Sequence, residues 1–138
     1  MSSGYDRNNV FARILRGELP CQKVYEDEFA LAFHDIRPLA PVHVLVIPKG
    51  QYVALTDFAA TAQAETIAGF WRAVAKTAVQ LGLEPGGYRV VSNAGADGGQ
   101  IVFHMHVHIF GGRQMSQRMG NMPRANEGPE DQDRARKD

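Results

Sequence analysis

Three of the chain's five histidines, His104, His106 and His108, alternate with apolar residues in one short stretch. Alternation with a period of two is typical of a β-strand with one buried face, so we predict a strand over residues 104–110. In a strand these three side chains project to one side, about 6.5–7 Å apart along it. The apolar residues between them project to the other side and pack in a core: Met105, Val107 and Ile109.

Two kinds of chemistry fit three imidazoles on one face. They could bind zinc or iron, or they could serve phosphoryl transfer, with one imidazole as nucleophile and the others as proton donors. A glycine-rich loop, residues 93–100, comes just before the histidines. Because glycines let several backbone N–H groups face one anion, this loop favours phosphate over metal.

Two polar residues upstream have both a structural and a functional interpretation. His43 lies in an apolar run, where a histidine is more often a core residue than a ligand. Beside the three histidines it could instead fix the tautomer of a neighbouring imidazole. Asp35 ends a strand, so it is either a solvated turn residue or a carboxylate that accepts the protons of two sugar hydroxyls.

The pattern of elements around these residues predicts an α+β fold with a largely antiparallel sheet of about five strands, one short helix and one long helix. Asn8 or Asn9 caps the short helix, and Gly17 ends it. The predicted elements are a helix over 10–16, a hairpin of strands 22–25 and 29–34, a central strand over 42–47, a helix over about 61–81, and a strand over 88–92.

Composition narrows the functional classes. A length of 138 residues fits one domain, and 15 basic residues balance 15 acidic ones, which argues against nucleic acid or an anionic membrane as partner. No apolar run is long enough to span a bilayer, and the polar first residues do not resemble a signal peptide. The single Cys21 cannot form an intrachain disulfide. We therefore expect a cytoplasmic protein.

The motifs together resemble the histidine triad (HIT) family. The resemblance rests on residues 40–49, the loop 93–100 and residues 104–110, and it continues through the Gly-Gly-Arg-Gln-Met sequence of 111–115. That ending resembles the histidine triad nucleotide-binding branch. We expect a HIT domain over 9–115, a flexible N-terminus over 1–8 and a polar, weakly ordered tail over 116–138.

The resemblance implies a homodimer with one sheet continued across the interface. It implies binding of purine nucleoside monophosphates and hydrolysis of their phosphoramidates through a nucleotidyl-histidine intermediate. His106 would be the nucleophile and His108 the group that protonates the leaving amine, with His104 and His43 orienting the nucleophile. The nucleotide-binding residues would be Phe33, His34, Asp35, Ile36, Asn93, Gly99, Gln100, Ile101 and Val102, with Phe11 near the base. No metal and no cofactor would be needed.

Two departures from the family pattern bear on this reading. Ile101 stands where many members have a hydroxyl residue, so only a backbone N–H remains to contact the phosphate there. Residues 9–12 lack the Cys-x-x-Cys that holds a structural zinc in some members. The alternatives are a dinucleoside polyphosphate hydrolase of the fragile-histidine-triad type, a nucleotide-binding scaffold with vestigial activity, and a metal-binding protein.

Overall fold

The computed structural model describes residues 4–117 and contains a five-stranded antiparallel sheet with three helices. The strands lie in the order β1-β2-β3-β5-β4. The predicted α+β class and the number of strands are therefore confirmed. The elements in chain order are α1 (Val10–Leu15), β1 (Lys23–Glu26), β2 (Ala30–His34), β3 (Val42–Pro48), α2 (Leu55–Thr61), α3 (Ala64–Gln80), β4 (Arg89–Val91) and β5 (Val107–Gly111).

The helices follow the sequence closely, with one addition. The Asn9 side chain accepts the Ala12 N–H and so caps α1, as predicted. The long helix α3 begins at Ala64, and a separate short helix, α2, precedes it. The sequence analysis missed α2, because two turns are too short to display a helical period clearly. The Asp57 carboxylate accepts the N–H groups of Val53 and Ala54 and fixes its start.

The sheet has two differently covered faces. Helix α3 packs on one face, over a core that contains alternate residues of the central strands: Ala30, Ala32, Val44, Val46, Val107 and Ile109. Met105 belongs to the same core, so the predicted burial of the apolar residues between the histidines is confirmed. Phe11 of α1 packs on the other face against Leu31, Phe33, Leu45 and Ile47. The histidines share that second face.

The predicted strand over 104–110 is only partly correct, since β5 begins at Val107. Pairing of β3 with β5 ends at Val46 opposite Val107. Two residues further along the same register, Met105 would lie opposite Pro48, which has no N–H to donate to the ladder. The Met105 N–H donates instead to the Tyr52 carbonyl, 2.7 Å away. Residues 101–106 therefore lie outside the sheet, where His104 bonds to the Pro48 carbonyl and Met105 to the Tyr52 carbonyl.

No helix among residues 4–117 combines the length and the apolar character that crossing a membrane requires.

Candidate active site

The four histidines named from the sequence lie together on the α1 face of the sheet. The ring centroids of His106 and His108 are 5.1 Å apart, and those of His43 and His108 are 5.2 Å apart. Phe11 of α1 contacts His106 edge to face with a centroid distance of 5.0 Å. All four side chains are buried, from 0% exposed for His104 to 8% for His108. The structure thus joins His43, distant in sequence, to the three alternating histidines.

The protonation of His106 is set by a backbone carbonyl. Its Nδ1 lies 2.7 Å from the carbonyl oxygen of His104. Because a carbonyl oxygen only accepts hydrogen bonds, Nδ1 must carry the proton of the neutral ring. The lone pair of the ring is therefore on Nε2, which is the arrangement that a nucleophilic imidazole needs.

A chain of hydrogen bonds gives neutral His108 the opposite tautomer. The Leu39 backbone N–H donates to His43 Nδ1 at 3.1 Å, so neutral His43 carries its proton on Nε2. His43 Nε2 lies 3.0 Å from His108 Nδ1, which must then accept. His108 is left with its proton on Nε2. The two neighbouring rings thus present a lone pair and an N–H donor at their Nε2 atoms.

Both of these Nε2 atoms reach the solvent. Neither atom has a hydrogen-bond partner among residues 4–117. Among these residues the only side-chain nitrogen or oxygen that is both buried and without a partner is Nη1 of Arg89, so neither Nε2 atom is buried. The Nε2 atoms of His106 and His108 must therefore be accessible although their rings are buried. A ligand that enters the site can contact both.

Burial keeps these imidazoles neutral. Loss of solvation lowers the pKa of His104 to about 4 and that of His108 to about 3. Burial also lowers the pKa of His106 and of His43, although the Asp35 carboxylate opposes the shift in both. At neutral pH the tautomers described above are therefore the relevant protonation states.

The glycine-rich loop between β4 and the histidines offers two free backbone donors. The N–H groups of Gly99 and Gln100 are used inside the loop, where they donate to the carbonyls of Ala96 and Gly95. Within the described residues the N–H groups of Ile101 and Val102 donate to no acceptor. Consecutive free N–H groups of this kind form an anion-binding concavity.

Glycine is required at two positions of this loop. Gly99 has a φ of +82°, a region that other residues adopt at a cost. A Cβ on Gly98 would collide with the carbonyl oxygen of Ala94. Asn93 holds the same turn through its Nδ2, which donates to the Gly98 carbonyl at 2.7 Å. In this structure the Asn93 amide therefore shapes the loop.

The Gln100 side chain points into the protein. It is 5% exposed, its Oε1 accepts the Gly95 N–H at 2.9 Å, and its Nε2 donates to the carbonyls of Val53 and Val102 at 2.6 and 3.1 Å. All three hydrogen bonds of this amide are therefore to backbone atoms. The sequence analysis assigned Gln100 to the nucleotide contacts, whereas its position here is that of a brace beneath the loop.

An apolar cavity of about 800 Å³ lies beside the histidines. Five of the predicted nucleotide-binding residues line it: Phe33, His34, Asp35, Ile36 and Val102. Phe11 and Leu45 form its floor next to His106 and His108. Ile36 is 93% exposed and Ile101 is 73% exposed, so both remain open to a bound molecule. This volume suits a drug-sized ligand.

Asp35 stands between the cavity and the histidines. Its Oδ1 accepts the Arg37 N–H at 2.7 Å, and its Oδ2 lies 3.6 Å from His43 Nε2. Asp35, His43 and His108 also form a group whose potential metal ligands all lie within 4.8 Å of one another. However, the His43 Nε2 proton points at His108, and its Nδ1 is held by the Leu39 N–H. A metal bound to His43 Nε2 would have to displace that proton, so this donor set fits a metal poorly.

One contact to the histidines comes from a residue that the sequence analysis did not name. The Tyr5 hydroxyl lies 2.7 Å from His104 Nδ1. The sequence predicts a flexible segment over residues 1–8, yet Tyr5 is held against the site. A tyrosine before the first helix carries no periodic signal, so only the structure could reveal this contact.

Comparison with known proteins identifies the family of this chain. The sequence pattern of the HIT domain matches residues 16–115, which include every histidine of the site. The chain belongs to the HIT domain family. The predicted family and fold are thereby confirmed.

Individual members of the HIT family are similar over most of the chain. An uncharacterized 13.2 kDa HIT-like protein of Azospirillum brasilense is 57% identical over 115 residues, which cover 83% of this chain and 94% of the relative. A 14 kDa zinc-binding protein of Zea mays is 49% identical over 113 residues, or 80% of this chain and 87% of the relative. The solved structure of a HIT family hydrolase from Clostridium thermocellum superposes with a TM-score of 0.76 at 39% identity, covering 83% of this chain and 98% of that one.

Proposed function

We propose that this HIT protein hydrolyses purine nucleoside phosphoramidates to nucleoside monophosphates through a nucleotidyl-histidine intermediate. The observation that carries the proposal is the pair of opposite tautomers at His106 and His108, both open to solvent through Nε2. One ring offers a nucleophile and its neighbour offers a proton. This pair is what cleavage of a P–N bond requires. The hydrolase name of the Clostridium thermocellum protein agrees with it.

In the first step the Nε2 lone pair of His106 attacks the α-phosphorus. The P–N bond of the substrate breaks, and its electron pair leaves with the amine, which takes the Nε2 proton of His108. His106 becomes positively charged when it bonds to phosphorus, and the His104 carbonyl stabilises this charge through Nδ1–H. His108 is left as an imidazolate, whose negative charge is balanced by the His106 cation, 5.1 Å away between ring centroids, and by the His43 N–H, until it takes a proton from water in the second step.

In the second step water attacks the phosphorus of the intermediate. His108 Nε2 takes one proton of the water, the oxygen bonds to phosphorus, and the P–N bond to His106 breaks with its electron pair returning to the ring. Both histidines are then restored. The free N–H groups of Ile101 and Val102 would stabilise the non-bridging oxygens in both steps.

The cavity beside the histidines would hold the nucleoside. A flat apolar base fits between Phe33, Val102 and the exposed Ile36, with His34 at the rim. Asp35, at the junction of cavity and histidines, would accept the protons of the ribose hydroxyls. Asn93 and Gly99 would act by shaping the loop that presents the phosphate-binding N–H groups.

We expect this chemistry to proceed without a metal ion. The maize relative is called a zinc-binding protein. In this chain, however, the group formed by Asp35, His43 and His108 is committed to the hydrogen bonds that set the tautomers. The same three residues therefore serve phosphoryl transfer better than metal binding.

We further propose a homodimer of the nucleotide-binding branch, with sheets joined at β4. The other edge, β1, has a register shift between Lys23 and Tyr25 and a charged rim in which Lys23 pairs with Glu26, features that discourage strand addition. Strand β4 has no register shift, the guanidinium of its one charged residue, Arg89, donates to the Ser116 carbonyl, and its Val90 is 41% exposed. On the adjoining helix α3, Trp71 and Val79 are exposed as well.

The first experiment is hydrolysis of adenosine 5′-phosphoramidate by the purified protein, with and without a chelator, beside the variant His106→Ala. We expect chelator-resistant turnover that falls at least about 10³-fold in the variant, because no other group replaces the nucleophile. Binding of adenosine monophosphate should change only a few-fold, since the fold does not depend on this side chain.

The other outcomes identify the alternatives. Turnover of a dinucleoside polyphosphate in preference to the phosphoramidate would place the protein with the fragile-histidine-triad type. Tight nucleotide binding without turnover would indicate a scaffold. Loss of turnover with the chelator, together with about one metal per chain, would overturn the metal-free mechanism.

A further inference from the structure

Tyr5 completes the hydrogen bonding of His104, which contacts no substrate in the proposed mechanism. His104 is fully buried, and its Nε2 lies 2.8 Å from the Pro48 carbonyl, so Nε2 donates. Its Nδ1 is therefore an acceptor, and the Tyr5 hydroxyl 2.7 Å away supplies the donor. The two rings also meet edge to face, with centroids 5.7 Å apart.

We propose that Tyr5 is a positioning residue for catalysis, acting through His104 on the nucleophile His106. The inference rests on the proposed function. His104 is outside the β-ladder, so its backbone is fixed by its ring contacts and by the neighbouring Met105 N–H bond to Tyr52. The carbonyl of His104 in turn accepts the Nδ1 proton of His106. Holding the ring of His104 thus holds the acceptor that selects the nucleophilic tautomer.

The segment that carries Tyr5 is itself anchored to α1. The Asp6 carbonyl accepts the backbone N–H and the side-chain Nδ2 of Asn9, the cap of α1. The Arg7 carbonyl accepts the guanidinium of Arg16 at 2.7 Å, just beyond the end of the same helix. Helix α1 also carries Phe11, which contacts His104 and His106. Residues 5–16 therefore form one unit that closes over the histidines.

The variant Tyr5→Phe tests the hydroxyl alone, because it keeps the ring that packs on His104. It leaves His104 Nδ1, a buried acceptor, without its donor. Turnover falls by about tenfold if most of the lost hydrogen-bond energy had served to position His106. We expect kcat for adenosine 5′-phosphoramidate to fall about tenfold and KM to stay within about twofold, since Tyr5 touches no part of the nucleotide cavity.

The matched control is Tyr25→Phe. It also removes a tyrosine hydroxyl hydrogen bond, from Tyr25 to Asp27 Oδ2 at 2.9 Å, but in the β1–β2 hairpin away from the histidines. We expect its kcat to equal that of the wild type. Equal kcat values for all three proteins would overturn the proposal, and so would a fall in Tyr5→Phe that Tyr25→Phe matches.

A second readout does not need activity. In ¹⁵N-labelled protein, loss of the Tyr5 donor should shift the resonance of the unprotonated Nδ1 of His104 to higher frequency, whereas Tyr25→Phe should leave it unchanged. An unshifted resonance in Tyr5→Phe would overturn the proposal even if kcat fell. If the wild type lacks turnover, the proposed function fails, and this resonance alone decides whether Tyr5 holds His104.

Discussion

Each residue of the site has a chemical state that follows from one or two hydrogen bonds. His106 and His108 have the same side chain and the same burial, yet a carbonyl beside one and an imidazole beside the other leave them with opposite tautomers. Their distinct roles therefore come from neighbours and not from residue type. A substitution in the site should be judged by which of these bonds it breaks.

Asp35 provides a prediction at this scale. Asp35→Ala should weaken the binding of adenosine monophosphate by about tenfold or more, because a charged hydrogen bond to the ribose contributes about 1.5–3 kcal/mol. The loss should be much smaller for the 2′,3′-dideoxynucleotide, which has no hydroxyls to bind. Titration calorimetry with both nucleotides measures the two losses.

The control for Asp35 is Asp35→Asn. Its remaining oxygen can still accept the Arg37 N–H at the position of Oδ1, so the loop after β2 stays in place while the charge is lost. An intermediate loss of affinity for the ribonucleotide is expected. Equal losses for both nucleotides in Asp35→Ala would remove Asp35 from the ribose site.

The end of β3 and its connection to α2 hold the glycine-rich loop and the histidines in place. Pro48, Tyr52 and Val53 accept hydrogen bonds there from His104, Met105 and Gln100 respectively. Asp57, in the first turn of α2, accepts the N–H groups of Val53 and Ala54 and so holds that connection in place. The short helix α2 thus supports the site although it contributes no residue to it.

Gln100→Glu tests this support. The carboxylate can still accept the Gly95 N–H, but an oxygen replaces the Nε2 that donates to the Val53 and Val102 carbonyls. Oxygens facing oxygens in a buried position should cost about 2–3 kcal/mol of the free energy of unfolding and lower kcat. Urea denaturation and phosphoramidate turnover measure the two effects.

Gln114→Glu is the matched control, because Gln114 is exposed and makes only a long hydrogen bond to the Met115 carbonyl. It should leave both quantities unchanged. A Gln100→Glu variant of wild-type stability with a raised KM would contradict the role as a brace and restore Gln100 as a direct nucleotide contact.

Across the whole molecule, burial of the histidines couples the site to stability. Four imidazoles that the unfolded chain would expose are buried on the α1 face of the sheet, and α3 covers the opposite face. Strand β4 forms one edge of the described sheet, and its Val90 is 41% exposed. Acid sensitivity and the proposed dimer therefore belong to the scale of the whole molecule.

We expect the protein to lose stability as the pH falls below about 6.5. In the folded protein the pKa of His104 is about 4 and that of His108 about 3, whereas both titrate near 6.5 when unfolded. Between these values the unfolded state binds more protons, so each histidine lowers the free energy of unfolding by up to about 1.4 kcal/mol per pH unit. Urea denaturation at pH 7.5 and 5.0 measures the slope, and His108→Asn should reduce it. An unchanged free energy across this range would contradict the burial of neutral imidazoles.

The proposed homodimer yields a prediction at the same scale. Val90→Lys places a charge on the exposed face of β4 and should convert the dimer to monomer in light scattering coupled to size exclusion. Lys23→Ala, on the opposite edge, should leave the dimer intact. A wild-type protein that elutes as a monomer at micromolar concentration would contradict the joined sheets.

Much of the fold follows directly from the sequence. The alternation of 104–110, the apolar run of β3 and the helical stripe of α3 depend on periods that neighbouring residues display, so the α+β class, the hairpin and the central strand were predictable. Helix α2 and the early end of the β5 ladder were not. Helix α2 depends on the Asp57 cap, and the early end of the ladder depends on Pro48 and on the bond of Met105 to the distant Tyr52.

The same division applies to the site. The sequence identified the histidines, the glycine-rich loop and Asp35, because their residue types and spacing are local facts. The His106 tautomer is set by the His104 carbonyl two residues away, whereas the protonated nitrogens of His43, His104 and His108 were decided by tertiary structure, through contacts such as Leu39 with His43 and Tyr5 with His104. The inward turn of Gln100 has the same origin, since its partner Val53 is 47 residues away. Residue types set which reactions are available, and long-range hydrogen bonds set which atom of each residue takes part.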